Sequence, residues 1–220
     1  LPDFLQAIHF GYIFSPKQQY PAGKSPPNTE LSIIIALMNK KGEDTMTRKY
    51  EFDWSLLGNI KEGRPNLGPI VGLDIYRLAQ YCFRDVLEKN YGSETTDRLF
   101  AEAGYLAGKQ FYQHMVPPSN SIGDFIQSLQ SALLEHGIGI LRLEEADYAR
   151  NRFTLSISED LDCSGLPELD EEICVYDEGF IAGLLESFTG DRYRVKEVDC
   201  WCTGDRTCRF VAEIVEVTQD

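Results

Sequence analysis

The sequence predicts an α+β fold, an antiparallel sheet with helices packed on one face, plus an N-terminal β-hairpin arm. Three observations lead there. Apolar residues recur at helical spacing in successive segments from Leu73 onward. Short runs of alternating apolar and polar residues follow them, and glycine or proline punctuates the junctions. Three helices, two strands, a helix and two closing strands form the order expected when helices stack on an antiparallel sheet.

Taken in order, residues 1–29 are rich in proline, glycine and aromatics and read as an extended arm. Glu30–Met38 and Met46–Asp53 are β-prone runs around the polar turn Lys40–Asp44, which predicts a hairpin. Gly58–Pro69 then breaks the pattern. The domain reading is therefore 1–63 for the arm and hairpin and 64–220 for the main domain. From Leu73 to Asn90 a helix carries Ile75, Leu78, Cys82 and Val86 on one stripe, with Gly92 placed to stop it. Cys82 is assigned to the core side of that helix. A second helix runs from about Glu94 to His114 and is ended by Pro117 and Pro118. Ser121 with Asp124 starts a third helix as a capping box, and Gly137 closes it. Gly139–Glu144 and Phe153–Ser158 are strands, the latter alternating Phe153, Leu155 and Ile157 with polar residues. A fourth helix spans about Val175 to Phe188 and stops at Gly190. Tyr193–Val198 and Cys208–Val217 form the closing hairpin.

Composition narrows the function. The 220 residues, 43% of them hydrophobic, supply one full-sized core. No run approaches the roughly 18 apolar residues of a membrane span. A net charge of −14 repels phosphate backbones, so no direct nucleic-acid binding is expected. Of six cysteines, four lie between Cys174 and Cys208. Clustered cysteines in an acidic globular chain fit metal ligation better than a disulfide scaffold, and a cytoplasmic location.

The segment Lys196–Phe210 (KEVDCWCTGDRTCRF) carries most of the chemistry. Glu197 and Cys200 lead into a turn built on Thr203, Gly204 and Asp205, and Cys208 returns on the next strand. Cys174 opens the preceding helix, where the helix dipole favours a thiolate. Cys174, Glu197, Cys200 and Cys208 together offer Zn²⁺ four tetrahedral ligands, a closed and therefore structural site. Arg194, Lys196, Arg206 and Arg209 lie near in sequence to offset its charge. Cys163 and Cys202 are further candidate ligands, and either can take one of the four positions. Ordinary buried thiols or a Cys200–Cys208 disulfide fit the same spacing.

Two helices carry glycines four apart, Gly104 with Gly108 and Gly179 with Gly183. A helical glycine costs about 1 kcal/mol relative to alanine, so these need a reason. Close backbone contact between the two helices is one; space for a bound molecule is the other. Phe111, Tyr112, Ile181, Leu184, Phe188, Tyr193 and Val195 are the candidate walls of such a pocket, and equally suit plain core. Trp201 either shields the metal or caps the sheet edge. No dinucleotide fingerprint or phosphate loop is present, and His9, His114 and His136 fall in no metal or nucleophile motif. Asp177 and Glu178 read as helix-start acids rather than an acid–base pair.

From Cys174 to Phe210 the sequence resembles the vinyl-4-reductase domain family, which includes phenol- and xylene-sensing modules of bacterial transcription activators. The resemblance extends over about Leu67 to Val215. It rests on Cys174 opening a glycine-containing helix, Glu197 ending a strand, Cys200, the Gly204-Asp205 turn, and Cys208-Arg209-Phe210. It implies zinc at Cys174, Glu197, Cys200 and Cys208, a buried pocket for a small hydrophobic or aromatic molecule, and a homodimer. Similar folds in a vesicle-tethering complex hold an acyl chain. The sensors' ATPase and DNA-binding domains have no counterpart in this sequence, and the first 60 residues match nothing in the family pattern. The function expected is a zinc-stabilised, non-enzymatic binding or sensory domain acting through a dimer or partner. The alternatives are a tetrapyrrole-related reductase or its accessory, and a cysteine-based redox sensor.

Overall fold

The computed structural model describes residues 49–169 and 171–215. The chain divides into one unit of residues 1–52 and a second of residues 53–220, and the architecture below is that of the second. The N-terminal arm and most of the expected hairpin lie outside the described residues. Residues 49–53, which are described, form no strand.

A 3₁₀ turn at Trp54–Leu57 and the single-turn helix α1 (Ile60–Gly63) lead in, each started by an acceptor side chain. Asp53 receives the Ser55 N–H at 2.9 Å, and Asn59 receives the Glu62 N–H at 3.3 Å. Four longer elements follow as the glycine and proline signals predict: α2 (Leu73–Tyr91), α3 (Ser93–Met115) and α4 (Ile122–Glu135), then, after two strands, α5 (Val175–Thr189). The Ser121 hydroxyl accepts the Asp124 N–H at 3.1 Å, the capping box read from the sequence. Gly190 ends α5 in the left-handed conformation, φ 83°, where a side chain would be strained.

The sheet contains β1 (Ile140–Asp147), β2 (Arg152–Ser158), β3 (Tyr193–Asp199) and β4 (Cys208–Ile214) in the order β1-β2-β4-β3, every pair antiparallel. Its alternation is regular. Phe153, Leu155 and Ile157, then Tyr193, Val195 and Glu197, then Cys208, Phe210 and Ala212 are buried. Charged residues on intervening positions pair between strands, Arg152 with Glu213 at 2.9 Å and Arg209 with Glu144 at 2.7 Å. Helices α4 and α5 cover the buried face, and Phe125 and Phe188 stack between them with ring centres 4.3 Å apart. Phe125, Phe210, Leu133, Leu155 and Leu184 are all but fully buried, each contributing about 1.5–3 kcal/mol of apolar burial.

The four helical glycines have one explanation. A Cβ on Gly104 or Gly108 would run into the carbonyl oxygen of Tyr176 or Phe180, and one on Gly179 or Gly183 into that of Ala101 or Tyr105. Helices α3 and α5 therefore touch backbone to backbone, with the glycines on both sides of the contact.

Helix α2 departs from expectation. Its apolar stripe faces outward: Ile75 is 52% exposed, Leu78 61% and Val86 52%. Cys82 is exposed as well, not in the helix core. The face turned to the domain is polar instead, with Tyr76, Arg77, Gln80 and Tyr81 bonding to the segment after β2. Hydrogen bonds to fixed backbone carbonyls and a buried carboxylate set the rotation of this helix against its hydrophobic pattern.

Candidate metal centre

Four segments distant in sequence meet at one end of the sheet. Cys163 lies in the turn that leaves β2. Cys174 is the N-cap of α5, Cys200 follows β3 and starts a 3₁₀ turn, and Cys208 opens β4. All four are buried to within 1%. Their sulfurs lie within 4.8 Å of one another, with Cys174–Cys200 and Cys174–Cys208 at 3.8 Å and Cys163–Cys208 at 3.0 Å. A tetrahedral ion with metal–sulfur bonds of about 2.3 Å requires edges of about 3.8 Å. Two of the three edges meet that value and the third is tighter. The donor set thus fits a soft-ligand tetrahedral cation, and no cysteine of the chain is in a disulfide.

Electrostatics agree with a thiolate site. Cys200 is held far below the usual thiol range by the sulfur groups of Cys163, Cys174 and Cys208, whereas Cys174 is pushed far above it by the same neighbours and by burial. The Thr203 N–H donates to the Cys200 sulfur, and the Thr203 hydroxyl accepts the Cys200 N–H at 3.2 Å.

Glu197, the fourth ligand read from the sequence, sits against this cluster in a different contact. It is 1% exposed, and its Oε2 accepts the Cys174 N–H at 3.2 Å. Burial, with Cys200 beside it, pushes its carboxyl up to about 8. Cys202 is buried in the 3₁₀ turn outside the four-sulfur group, its carbonyl accepting the Leu169 N–H at 2.8 Å. The Trp201 indole donates to Leu166 O at 3.0 Å, which ties the turn to the loop beyond Cys163.

Sequence reasoning missed how Cys163 is delivered. Asp160 Oδ1 accepts the N–H groups of Asp162 and Cys163 at 2.8 and 3.0 Å, folding the loop on itself. Burial, then the Asp162 charge, raises Asp160 to about 6. From α2, Arg77 donates to the carbonyls of Leu161, Asp160 and Ser164. Tyr76 and Gln80 hold the Asp162 carboxylate at 2.9 and 3.0 Å. Of the basic residues expected to offset the site, Lys196 pairs with Glu172 and Glu178, Arg209 with Glu144 and Asp199, and Arg206 lies over the Trp201 ring. Arg77 is the cation that reaches the Cys163 loop, and no motif announces it.

Between α4, α5 and the sheet lies a small internal cavity of about 20 Å³. Helix α4 contributes Ile126, Leu129 and Leu133, the sheet Leu141, Leu155 and Ile157. Helix α5 contributes Phe180, Ile181, Leu184 and Leu185, with Asp177 at its first turn. Ile181 and Leu184 are thus the two predicted pocket residues on its wall. Phe111, Tyr112, Phe188, Tyr193 and Val195 belong to the core around it. The α4 face could have been found from the spacing of Ile126, Leu129 and Leu133.

Residues 153–214 match the family model of the vinyl-4-reductase domain, so this part of the chain is such a domain and the resemblance read from the sequence holds over it. An uncharacterised protein of Methanocaldococcus jannaschii is 29% identical over 68 residues, which are 31% of this chain; the chain spans 42% of that relative's length. Three solved structures share the fold. The phenol-responsive sensory domain of the transcription activator PoxR, with phenol, aligns over 66% of this chain and 76% of its own, TM-score 0.53, 14% identity. A vinyl-4-reductase family protein from M. jannaschii aligns over 77% and 99%, TM-score 0.50, 19% identity. Subunit 3 of a trafficking protein particle complex from Naegleria fowleri, covalently bound to palmitic acid, aligns over 67% and 98%, TM-score 0.53, 15% identity. No described helix is long and apolar enough to cross a membrane.

Proposed function

We propose that this chain is a zinc-stabilised domain that binds a small apolar molecule and signals as a homodimer in the cytoplasm. The observation that carries it is the cavity walled by α4, α5 and the sheet, whose lining is apolar but for Asp177. The fold likeness to a phenol-sensing domain and to a palmitate-bound subunit supports the ligand class. In this reading Cys163, Cys174, Cys200 and Cys208 hold the ion, and Glu197 braces Cys174 from behind through its backbone N–H. Filled by four protein ligands, the site leaves no position for substrate and ties α5 to the β3–β4 hairpin. Reduced, buried thiols suit a cytoplasmic protein, and the charge of −14 directs its output to protein partners rather than nucleic acid.

Native mass spectrometry of freshly purified protein tests the whole reading at once. One zinc per chain, an apolar molecule released on desolvation, and a two-chain mass are expected. Protein that carries zinc yet takes up no apolar molecule from any extract would end the sensory reading.

The dimer rests on α2. Its outward stripe, Ile75, Leu78 and Val86 with Phe83 alongside, is the kind of apolar face that a partner covers. A second copy is the occupant proposed. Leu78→Asp combined with Phe83→Asp is expected to convert the dimer to monomer in sedimentation velocity while leaving the zinc content at one per chain. A variant that still sediments as the wild type places the interface elsewhere.

A further inference from the structure

One buried polar atom has no role in the reading so far. Asp177, in the first turn of α5, is 7% exposed, and its Oδ2 has no hydrogen-bond partner among the described residues. It is also the one polar side chain on the cavity wall; all its neighbours there are isoleucine, leucine or phenylalanine. An unsatisfied buried oxygen of this kind is costly and calls for an explanation.

Three occupants can satisfy it. A water fits the volume of about 20 Å³, but buried waters make about three hydrogen bonds, and here a single polar side chain faces the space. A cation would draw on Asp160 and Cys174, which lie within 4.8 Å of Asp177. Asp160 Oδ1 is already taken by two backbone N–H groups, however, and the Cys174 sulfur belongs to the four-cysteine set. A donor carried by an apolar body meets both demands, since its body contacts the hydrocarbon wall and its donor reaches the carboxyl.

We infer that Asp177 is the polar anchor of the ligand cavity, accepting a hydrogen bond from the hydroxyl of an otherwise apolar molecule. The inference rests on the small-molecule reading above and gives it a chemical class, hydroxylated apolar ligands in preference to pure hydrocarbons. The existing cavity is the size of the hydroxyl end, and the ligand body takes its place by displacing wall side chains.

Phenol and toluene differ at the group in question and test it by isothermal titration calorimetry on the full, zinc-loaded chain. Wild type is expected to bind phenol at least about tenfold more tightly than toluene, the worth of one buried hydrogen bond. Asp177→Leu should abolish or invert that preference while keeping toluene binding. Asp177→Asn, which keeps an acceptor, should retain the preference for phenol. Equal wild-type affinity for the two probes overturns the anchor and leaves the small-molecule reading standing, and it does so whether or not the leucine variant folds. Binding of neither probe overturns both. Loss of a second metal equivalent in Asp177→Leu, measured by elemental analysis, overturns the anchor in favour of a cation.

Discussion

Cys174→Ala is expected to release the metal ion and lower the melting temperature by about 10 °C or more. Structural zinc contributes about 10–16 kcal/mol of apparent binding free energy in small peptides. Even a third of that is about 3–5 kcal/mol, and in a domain of this size each kcal/mol moves the midpoint by about 2–4 °C. Cys174 stands at two of the 3.8 Å sulfur–sulfur edges and at the start of α5, so its loss uncouples the helix from both sheet strands. Two companions identify the fourth ligand. Cys163→Ser should lose zinc as Cys174→Ala does, whereas Glu197→Gln should keep one equivalent, since an amide oxygen can still accept the Cys174 N–H. Calorimetry with elemental analysis reads all three. The opposite pattern, zinc kept in Cys163→Ser and lost in Glu197→Gln, would put the carboxylate in the coordination sphere.

Gly179→Ala is expected to destabilise the fold by about 3 kcal/mol or more in urea denaturation. On helix propensity alone the change should stabilise by about 1 kcal/mol. The added methyl, however, meets the backbone of Ala101 and Tyr105, which has no rotamer with which to move aside. Gly104→Ala should behave alike, because its methyl meets the Tyr176 carbonyl. Gly123 is the internal control. It is exposed near the start of α4, with only the Ser121 hydroxyl oxygen at 3.8 Å, so alanine there should be neutral or mildly stabilising. Equal effects at Gly179 and Gly123 would mean that α3 and α5 do not touch as described.

Local chemistry made much of this fold legible. The Ser121–Asp124 box, the Pro117-Pro118 pair and Gly190 bound their helices where the structure has them, and the alternation of Phe153, Leu155 and Ile157 gave the inner face of β2. Cys174, Cys200 and Cys208 were legible as a group because a helix start and a hairpin turn are local features. Cys163 was visible only as a spare candidate, since its approach depends on the Asp160 turn and on Arg77 reaching from α2. Helix α2 shows why the remainder was hidden. Periodicity reveals which residues share a side, here Ile75, Leu78, Cys82 and Val86, but not which way that side points. Its orientation is decided by Tyr76, Gln80 and Asp162, groups more than 80 positions apart in the chain.

The interlocked glycines of α3 and α5 make those two helices behave as one beam, unable to part without breaking main-chain contact along its length. Any enlargement of the neighbouring void must therefore come from the opposite wall, α4, which seats on the sheet through side chains alone. That wall runs through Gly137 into Ile138, whose carbonyl accepts the Leu161 N–H at 2.8 Å. An outward swing of α4 would pull on the same loop that presents Cys163 and is gripped by Arg77. The guest's arrival would then be felt at the oligomer surface as a change in the seating of α2, a displacement transmitted by levers rather than by contact with the guest.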